Sequence, residues 1–212
     1  MLYAETITPA TLELLTVLMQ DKQLKTFVLV GGTALTLQIG HRLSADFDLF
    51  TDIDFNAIEF SEYLQNEYSF KADHITKNTV KGVINEIKLD CIAYKYPLID
   101  SMITNGFIRL ASLKDIVAMK LSAIVGDGSR LKDFIDIAYT SKLLSLNDMC
   151  NAFEQKYGLS KIIPLKALLY FDDINFDEPI YLLHNKKFSW DAIEQQLYKM
   201  INTPNAVFPE FE

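Results

Sequence analysis

Cysteine is scarce. Cys91 and Cys150 are the only two in 212 residues, and neither sits in a CxxC or Cys/His spacing. A disulfide framework and a structural zinc site are therefore not expected. Cys91 lies within an apolar alternation and reads as a core residue, a common place for a free thiol. Long apolar runs are missing too, and no stretch approaches the roughly 18 residues that signal a membrane span. The opening MLYAETITPA shows no basic segment followed by an apolar one. No signal peptide is expected, and a reducing, cytoplasmic location is. Positive charge is in deficit, with 20 Lys and Arg against 28 Asp and Glu, a net charge of −8 and a pI near 4.9. That balance argues against binding duplex DNA over the whole surface.

What is present is ample core material, since half of the residues are hydrophobic and 12% are aromatic. Charge is unevenly spread. Residues 1–105 carry 8 basic and 14 acidic side chains, residues 106–170 carry 9 and 6, and residues 171–212 carry 3 and 8. The middle segment, net +3, is the part suited to a polyanion.

The chain is organised around residues 27–51, FVLVGGTALTLQIGHRLSADFDLFT. An apolar run, Gly31-Gly32-Thr33, a helix-like segment and an Asp46-Phe47-Asp48 strand follow one another. Two carboxylates one residue apart in a β-type run project from one face of the strand. Their repulsion is a cost to a purely structural strand, and a divalent cation would offset it. An edge-strand solubility device is the alternative, but Phe47, Leu49 and Phe50 favour a buried strand. A glycine pair between strand and helix can present backbone N–H groups to a phosphate, or merely make a turn. Thr33 adds a hydroxyl. Arg42 and Ser44, ahead of the aspartates, are further phosphate contacts, unless Arg42 pairs with a surface acid.

Thr8-Pro9 opens a first helix, and Asp54 is a candidate cap for another reaching residue 63 or 64. Residues 70–94 turn to β patterning, with segments at 70–76, 79–84 and 86–94 separated by Lys77-Asn78 and Asn85. In the third segment Asp90 shares a face with Glu86 and Lys88. It is a candidate third metal ligand, with Glu86 as fallback and a pairing with Lys88 as the plain alternative. Three carboxylates on adjacent strands suit two Mg²⁺ ions. Residues 106–110 read as a short extended link. Beyond them the periodic segments are helical, at about 112–125, 131–144, 147–157, 161–170 and 189–201, the first opened by a Ser112–Asp115 capping pattern. The expected organisation is an α/β domain over 1–105 and a helical domain over 106–212.

Lys120 falls at the centre of the arc formed by Leu113, Ile116, Val117, Leu121 and Ile124. A charge there needs a partner or a cleft, unless it snorkels to the domain edge. Asp133, Asp136 and Thr140 share one face of the next helix, which taken alone reads as solvated. Arg130 and Lys132 place positive charge at that helix's start, against the dipole preference, and hint at an anion.

Together, the glycine pair, Arg42-Leu-Ser-Ala-Asp-Phe-Asp-Leu-Phe50, Lys120 and Arg130-Leu-Lys-Asp-Phe-Ile-Asp136 resemble the AbiEii/AbiGii-type nucleotidyltransferase toxins of abortive-infection systems, within the polymerase-β-like nucleotidyltransferase superfamily. The resemblance implies an α+β fold, a nucleotidyltransferase-like mixed sheet with flanking helices followed by a helical C-terminal domain that completes the cleft. It implies that Asp46, Asp48 and Asp90 hold Mg²⁺, and that Gly31, Gly32, Thr33, Arg42, Ser44, Lys132 and Asp136 serve nucleotide binding. Lys120 would meet the nucleotide phosphates, and Asp133 would orient or deprotonate the acceptor. The implied reaction moves a nucleotide from an NTP to an acceptor such as the tRNA 3′ end and releases pyrophosphate, in a toxin paired with a separately encoded antitoxin. Other readings are a small cationic acceptor of the aminoglycoside kind, a protein hydroxyl, or a non-catalytic nucleotide-binding module. The acidic composition slightly favours the cationic acceptor over RNA.

Overall fold

The computed structural model describes residues 2–184 and 186–211. The chain divides into two units, Met1–Ala111 and Ser112–Glu212, so the break falls after Ala111 rather than near residue 105.

The first unit opens with α1 (Pro9–Gln20), capped by Thr8, whose hydroxyl accepts from the Thr11 amide at 3.1 Å. A buried strand, β1 (Val28–Val30), runs straight into α2 (Gly31–Ile39), and β2 (Phe47–Thr51) returns beside β1. Next come α3 (Ala57–Tyr68), the meander β3 (Lys71–Thr76), β4 (Thr79–Ile84) and β5 (Ile87–Ala93), and the short strands β6 (Ile103–Asn105) and β7 (Ile108–Leu110). All seven strands form one sheet in the order β3-β4-β5-β2-β1-β7-β6. It is mixed, with β2 parallel to β5, β1 parallel to β7 and the other pairs antiparallel.

Two local expectations are corrected. Residues 106–110 are not a link: β6 and β7 form a hairpin about Gly106 (φ +58°), and Leu110 pairs with Leu29. The cap of α3 is Asn56, whose side chain accepts from the Ile58 and Glu59 amides. Asp54 is instead paired with Lys95 at 2.5 Å. That ammonium holds the Asp54 carboxyl below its ordinary pKa.

Burial alternates along the central strands as a sheet with one covered face requires. Phe47, Leu49 and Thr51 of β2 are buried while Asp48 and Phe50 are half-buried. Leu89 and Cys91 of β5 are buried, Asp90 and Ile92 half-buried. Burial also pushes the Cys91 thiol well above its usual pKa, as expected for a core residue.

The second unit is helical: α4 (Leu113–Gly126), α5 (Leu131–Thr140), α6 (Leu146–Tyr157), the short α7 (Ile162–Ala167) and α8 (Trp190–Asn202). Ser112 caps α4 through the Asp115 amide at 3.1 Å and donates its hydroxyl to the Asp115 carboxylate at 2.6 Å. Lys156 of α6 reaches the same carboxylate at 2.8 Å. The reading of a solvated face on α5 is overturned. Every α5 residue except Lys132 is buried, because the helix packs against both α4 and α8.

Candidate active site

In the first unit, the site begins where β1 becomes α2. Val30 is the N-cap of α2 and makes no side-chain capping bond, so the amides of Gly31, Gly32 and Thr33 open the helix without one. Gly31 sits at φ +69°, a conformation that favours glycine. A Cβ there would lie 2.1 Å from Asp48 Oδ2, so the carboxylate rests against bare backbone. A Cβ on Gly32 would lie 2.8 Å from Arg42 Nη2 and 3.3 Å from Ser44 Oγ. Both glycines are thus close-approach positions, and the 31–33 and 42–48 segments pack onto each other.

Thr33 fastens that packing. Its hydroxyl donates to the Asp46 carbonyl at 2.5 Å and lies 2.9 Å from the Ser44 hydroxyl. Arg42 is buried (2% exposed), and its Nη1 donates to the Leu43 carbonyl at 3.0 Å. Asp46 is exposed and stands just before β2.

Strand register supplies the next carboxylate. Asp48 of β2 lies directly opposite Asp90 of β5, and Val30 lies opposite Asp48 on the other side. Two carboxylates directly opposite on neighbouring strands destabilise a sheet unless something neutralises them. On the far side of Asp90 stands Lys81 of β4, in register and ion-paired at 2.5 Å. Sequence reasoning missed Lys81. The expected alternative partner, Lys88, is exposed and faces Val83 instead. Glu86, the fallback ligand, stands outside β5, in the turn before it at φ +68°.

The metal question can be put to these donors. Among the described residues no group of three or more His, Cys, Asp and Glu side chains is gathered closely enough to hold a metal, so Asp46, Asp48 and Asp90 do not stand as a ready-made trio. Their chemistry does fit a hard cation: Asp48 and Asp90 are carboxylates in register, Asp46 follows the same strand parity, and all donors are oxygen. Two concave regions of this unit, ≈ 550 and ≈ 270 Å³, lie around Phe55 and the start of α3, and these aspartates do not line those two.

In the second unit, Lys120, Asp133 and Asp136 come together. Lys120 Nζ lies 2.6 Å from Asp133 Oδ1 and 2.8 Å from Asp136 Oδ2, and the three side chains are 7%, 1% and 0% exposed. The lysine does not snorkel to an edge. Asp133 Oδ2 is buried with no hydrogen-bond donor among the described residues, and Arg130 Nε lies 3.6 Å from it. Lys132 stands apart from this cluster, since its ammonium pairs with Glu178 at 2.5 Å.

Comparison with known proteins fits this geometry. A model of the family described as nucleotidyl transferase AbiEii toxin, Type IV TA system, matches residues 13–203. An uncharacterized protein of Aquifex aeolicus (strain VF5) is 31% identical over 176 residues, covering 80% of this chain and 83% of that protein. Two Helicobacter pylori crystal structures share the fold at 18% identity. One, of a protein assigned as a nucleotidyltransferase, superposes with a TM-score of 0.58 over 93% of this chain and 96% of its own. The other, JHP933, does so with 0.57 over 94% and 93%. Among the described residues no helix is long and apolar enough to cross a membrane. With the glycine turn, the aspartate strand and the Lys120–Asp133–Asp136 cluster all inside the matched span, the chain belongs to the AbiEii nucleotidyltransferase toxin family.

Proposed function

We propose that this protein is a Mg²⁺-dependent nucleotidyltransferase that moves a nucleotide from an NTP to an acceptor and releases pyrophosphate, as the toxin of a bacterial toxin–antitoxin pair. The observation that carries the reading is the register of Asp48 against Asp90, beside a helix start whose glycine backbone touches Asp48. Asp48 and Asp90, with Asp46, are the residues that would hold the metal. Bound there, Mg²⁺ would supply Lewis-acid neutralisation of the triphosphate. The amides of Gly31, Gly32 and Thr33 are suited to donate hydrogen bonds to phosphate oxygens at the positive end of α2. Thr33 holds Ser44 and the Asp46 backbone in place for that contact.

For the second unit we assign Asp133 to the acceptor hydroxyl, as the group that orients it or takes its proton. Lys120 and Asp136 hold that carboxylate in position. Lys120, implied by the resemblance to be a phosphate contact, is already engaged by two carboxylates, which favours a positioning role. The acceptor we favour is the tRNA 3′ end, and the net +3 of residues 106–170 is compatible with a polyanion. The overall charge of −8 supports a cationic small acceptor as the second reading.

Incubation with Mg²⁺, labelled NTPs, total tRNA and aminoglycosides decides between them. Label is expected in the tRNA, and none with Asp48→Asn. Label in the aminoglycosides selects the second reading. Nucleotide binding with no transfer to any acceptor reduces the protein to a binding module. In the cell, expression should arrest growth, Asp46→Ala should relieve the arrest, and co-expression of the cognate antitoxin should protect.

A further inference from the structure

One charged group on the carboxylate-bearing face of the sheet has no part in the function proposed above. Lys81, Asp90, Asp48 and Val30 form a single row across β4, β5, β2 and β1, each in register with the next. The Lys81 ammonium touches Asp90 Oδ2 at 2.5 Å. The pair is half open to solvent, with side chains 40% and 25% exposed. An ion pair so placed is weak and easily exchanged. The row also has a fixed order, with the cation on one side of Asp90 and the second carboxylate on the other.

We propose that Lys81 is a positioning residue for Asp90, one that occupies the cation's place on this carboxylate until a metal displaces it. The ammonium neutralises Asp90 and holds its rotamer beside Asp48. It also competes with a divalent ion for the same oxygen and repels it at close range. A metal ion carried in by an NTP escapes this competition in part, because the triphosphate offers the displaced ammonium a new anionic partner. The site therefore disfavours free metal and favours metal delivered with nucleotide. The inference rests on the reading that Asp48 and Asp90 hold the metal.

The test is Mn²⁺ binding to the full chain, followed by electron paramagnetic resonance and calorimetry, with no turnover required. Lys81→Gln should bind free Mn²⁺ about tenfold more tightly than wild type, the order expected from removing one half-exposed cation adjoining the ligand. Lys81→Arg should stay within about twofold of wild type by the same argument, because the charge remains. With a non-hydrolysable NTP analogue present, the gap between Lys81→Gln and wild type should shrink. Adding Asp90→Asn to Lys81→Gln should abolish the gain. A role confined to strand pairing would lower the melting temperature of Lys81→Gln without tightening Mn²⁺. Equal or weaker Mn²⁺ binding by Lys81→Gln overturns the proposal, as does a gain that survives Asp90→Asn. If wild type nevertheless transfers nucleotide, only this proposal falls. If no form binds Mn²⁺ and no transfer occurs, the reading of the site falls with it.

Discussion

Replacing Lys120 by methionine asks the structure its hardest question, because the lysine is the shared cation of two buried carboxylates. The contacts are 2.6 Å to Asp133 and 2.8 Å to Asp136, with side-chain exposures of 7%, 1% and 0%. Methionine fills much of the same volume without the charge, so the loss is chiefly electrostatic. Removing one member of a buried ionic cluster costs about 3–5 kcal/mol, since uncompensated charge remains in the interior. For a chain of this size each kcal/mol moves the midpoint by about 2–4 °C, which puts the expected fall at roughly 6–20 °C. Thermal melts followed by circular dichroism measure it directly. Lys132→Ala is the control, for its pair with Glu178 is partly exposed at 32% and 46%, and its loss should shift the midpoint by no more than about 2 °C. Adding Asp133→Asn and Asp136→Asn to Lys120→Met should recover much of the loss, because the stranded charges disappear with their partner. A Lys120→Met protein that melts with wild type, yet no longer gains stability on adding nucleotide, would refute the reasoning. It would make Lys120 a ligand contact rather than the centre of a structural cluster.

Other substitutions report on other parts of the fold. Gly31→Ala would place a methyl group 2.1 Å from Asp48 Oδ2 at φ +69°, so calorimetry should show nucleotide binding lost together with about 1–3 kcal/mol of stability. Arg109→Met removes bonds from one guanidinium to the carbonyls of Phe27 (3.0 Å), Met19 (2.8 Å) and Leu24 (3.0 Å), and chemical denaturation should show a loss of about 2–3 kcal/mol. The Tyr63 hydroxyl donates to Asp21 at 2.7 Å, and this bond foremost pushes its pKa up from 10.0 to about 12. A raised folded-state value gives stability that is intact below pH 10 and fades as the pH climbs towards about 12. Tyr63→Phe should therefore melt below wild type at pH 8 and converge with it in that alkaline window.

How much of this was legible in the sequence depended on whether the signal was local. The β3–β5 meander was readable because Asn78 and Asn85 sit at φ +59° and +48°, in the left-handed region that asparagine tolerates better than most residues. The Asp46–Asp48 pair and the glycine turn were readable because each lies within one short segment. Lys81 was not. Sequence proximity put Lys88 beside Asp90, yet residues two apart on a strand are separated by roughly 6.6 Å along it. Directly opposite residues on paired strands approach to about 4.5–5.5 Å, and only the register reveals that Lys81 holds that place. Arg109 was silent for the same reason, as its carbonyl partners lie in α1 and in the segment before β1. The α5 face misled, because charges at i and i+3 read as solvated until a cation from α4 is placed against them.

The two lysines show how one device serves opposite ends. Each neutralises carboxylates on a neighbouring element, Lys81 from β4 onto β5 and Lys120 from α4 onto α5. The difference lies in solvent. At 40% and 25% exposure the Lys81–Asp90 pair is screened, so another cation can take its place at small cost. At 7%, 1% and 0% the Lys120 cluster has no such exchange open to it, and separating its charges costs several kcal/mol. A carboxylate meant to pass from an ammonium to a metal belongs in the first setting, and one that must keep a fixed orientation belongs in the second. Burial, more than residue type, thus separates the solvent-screened carboxylate of the first unit from the locked one of the second.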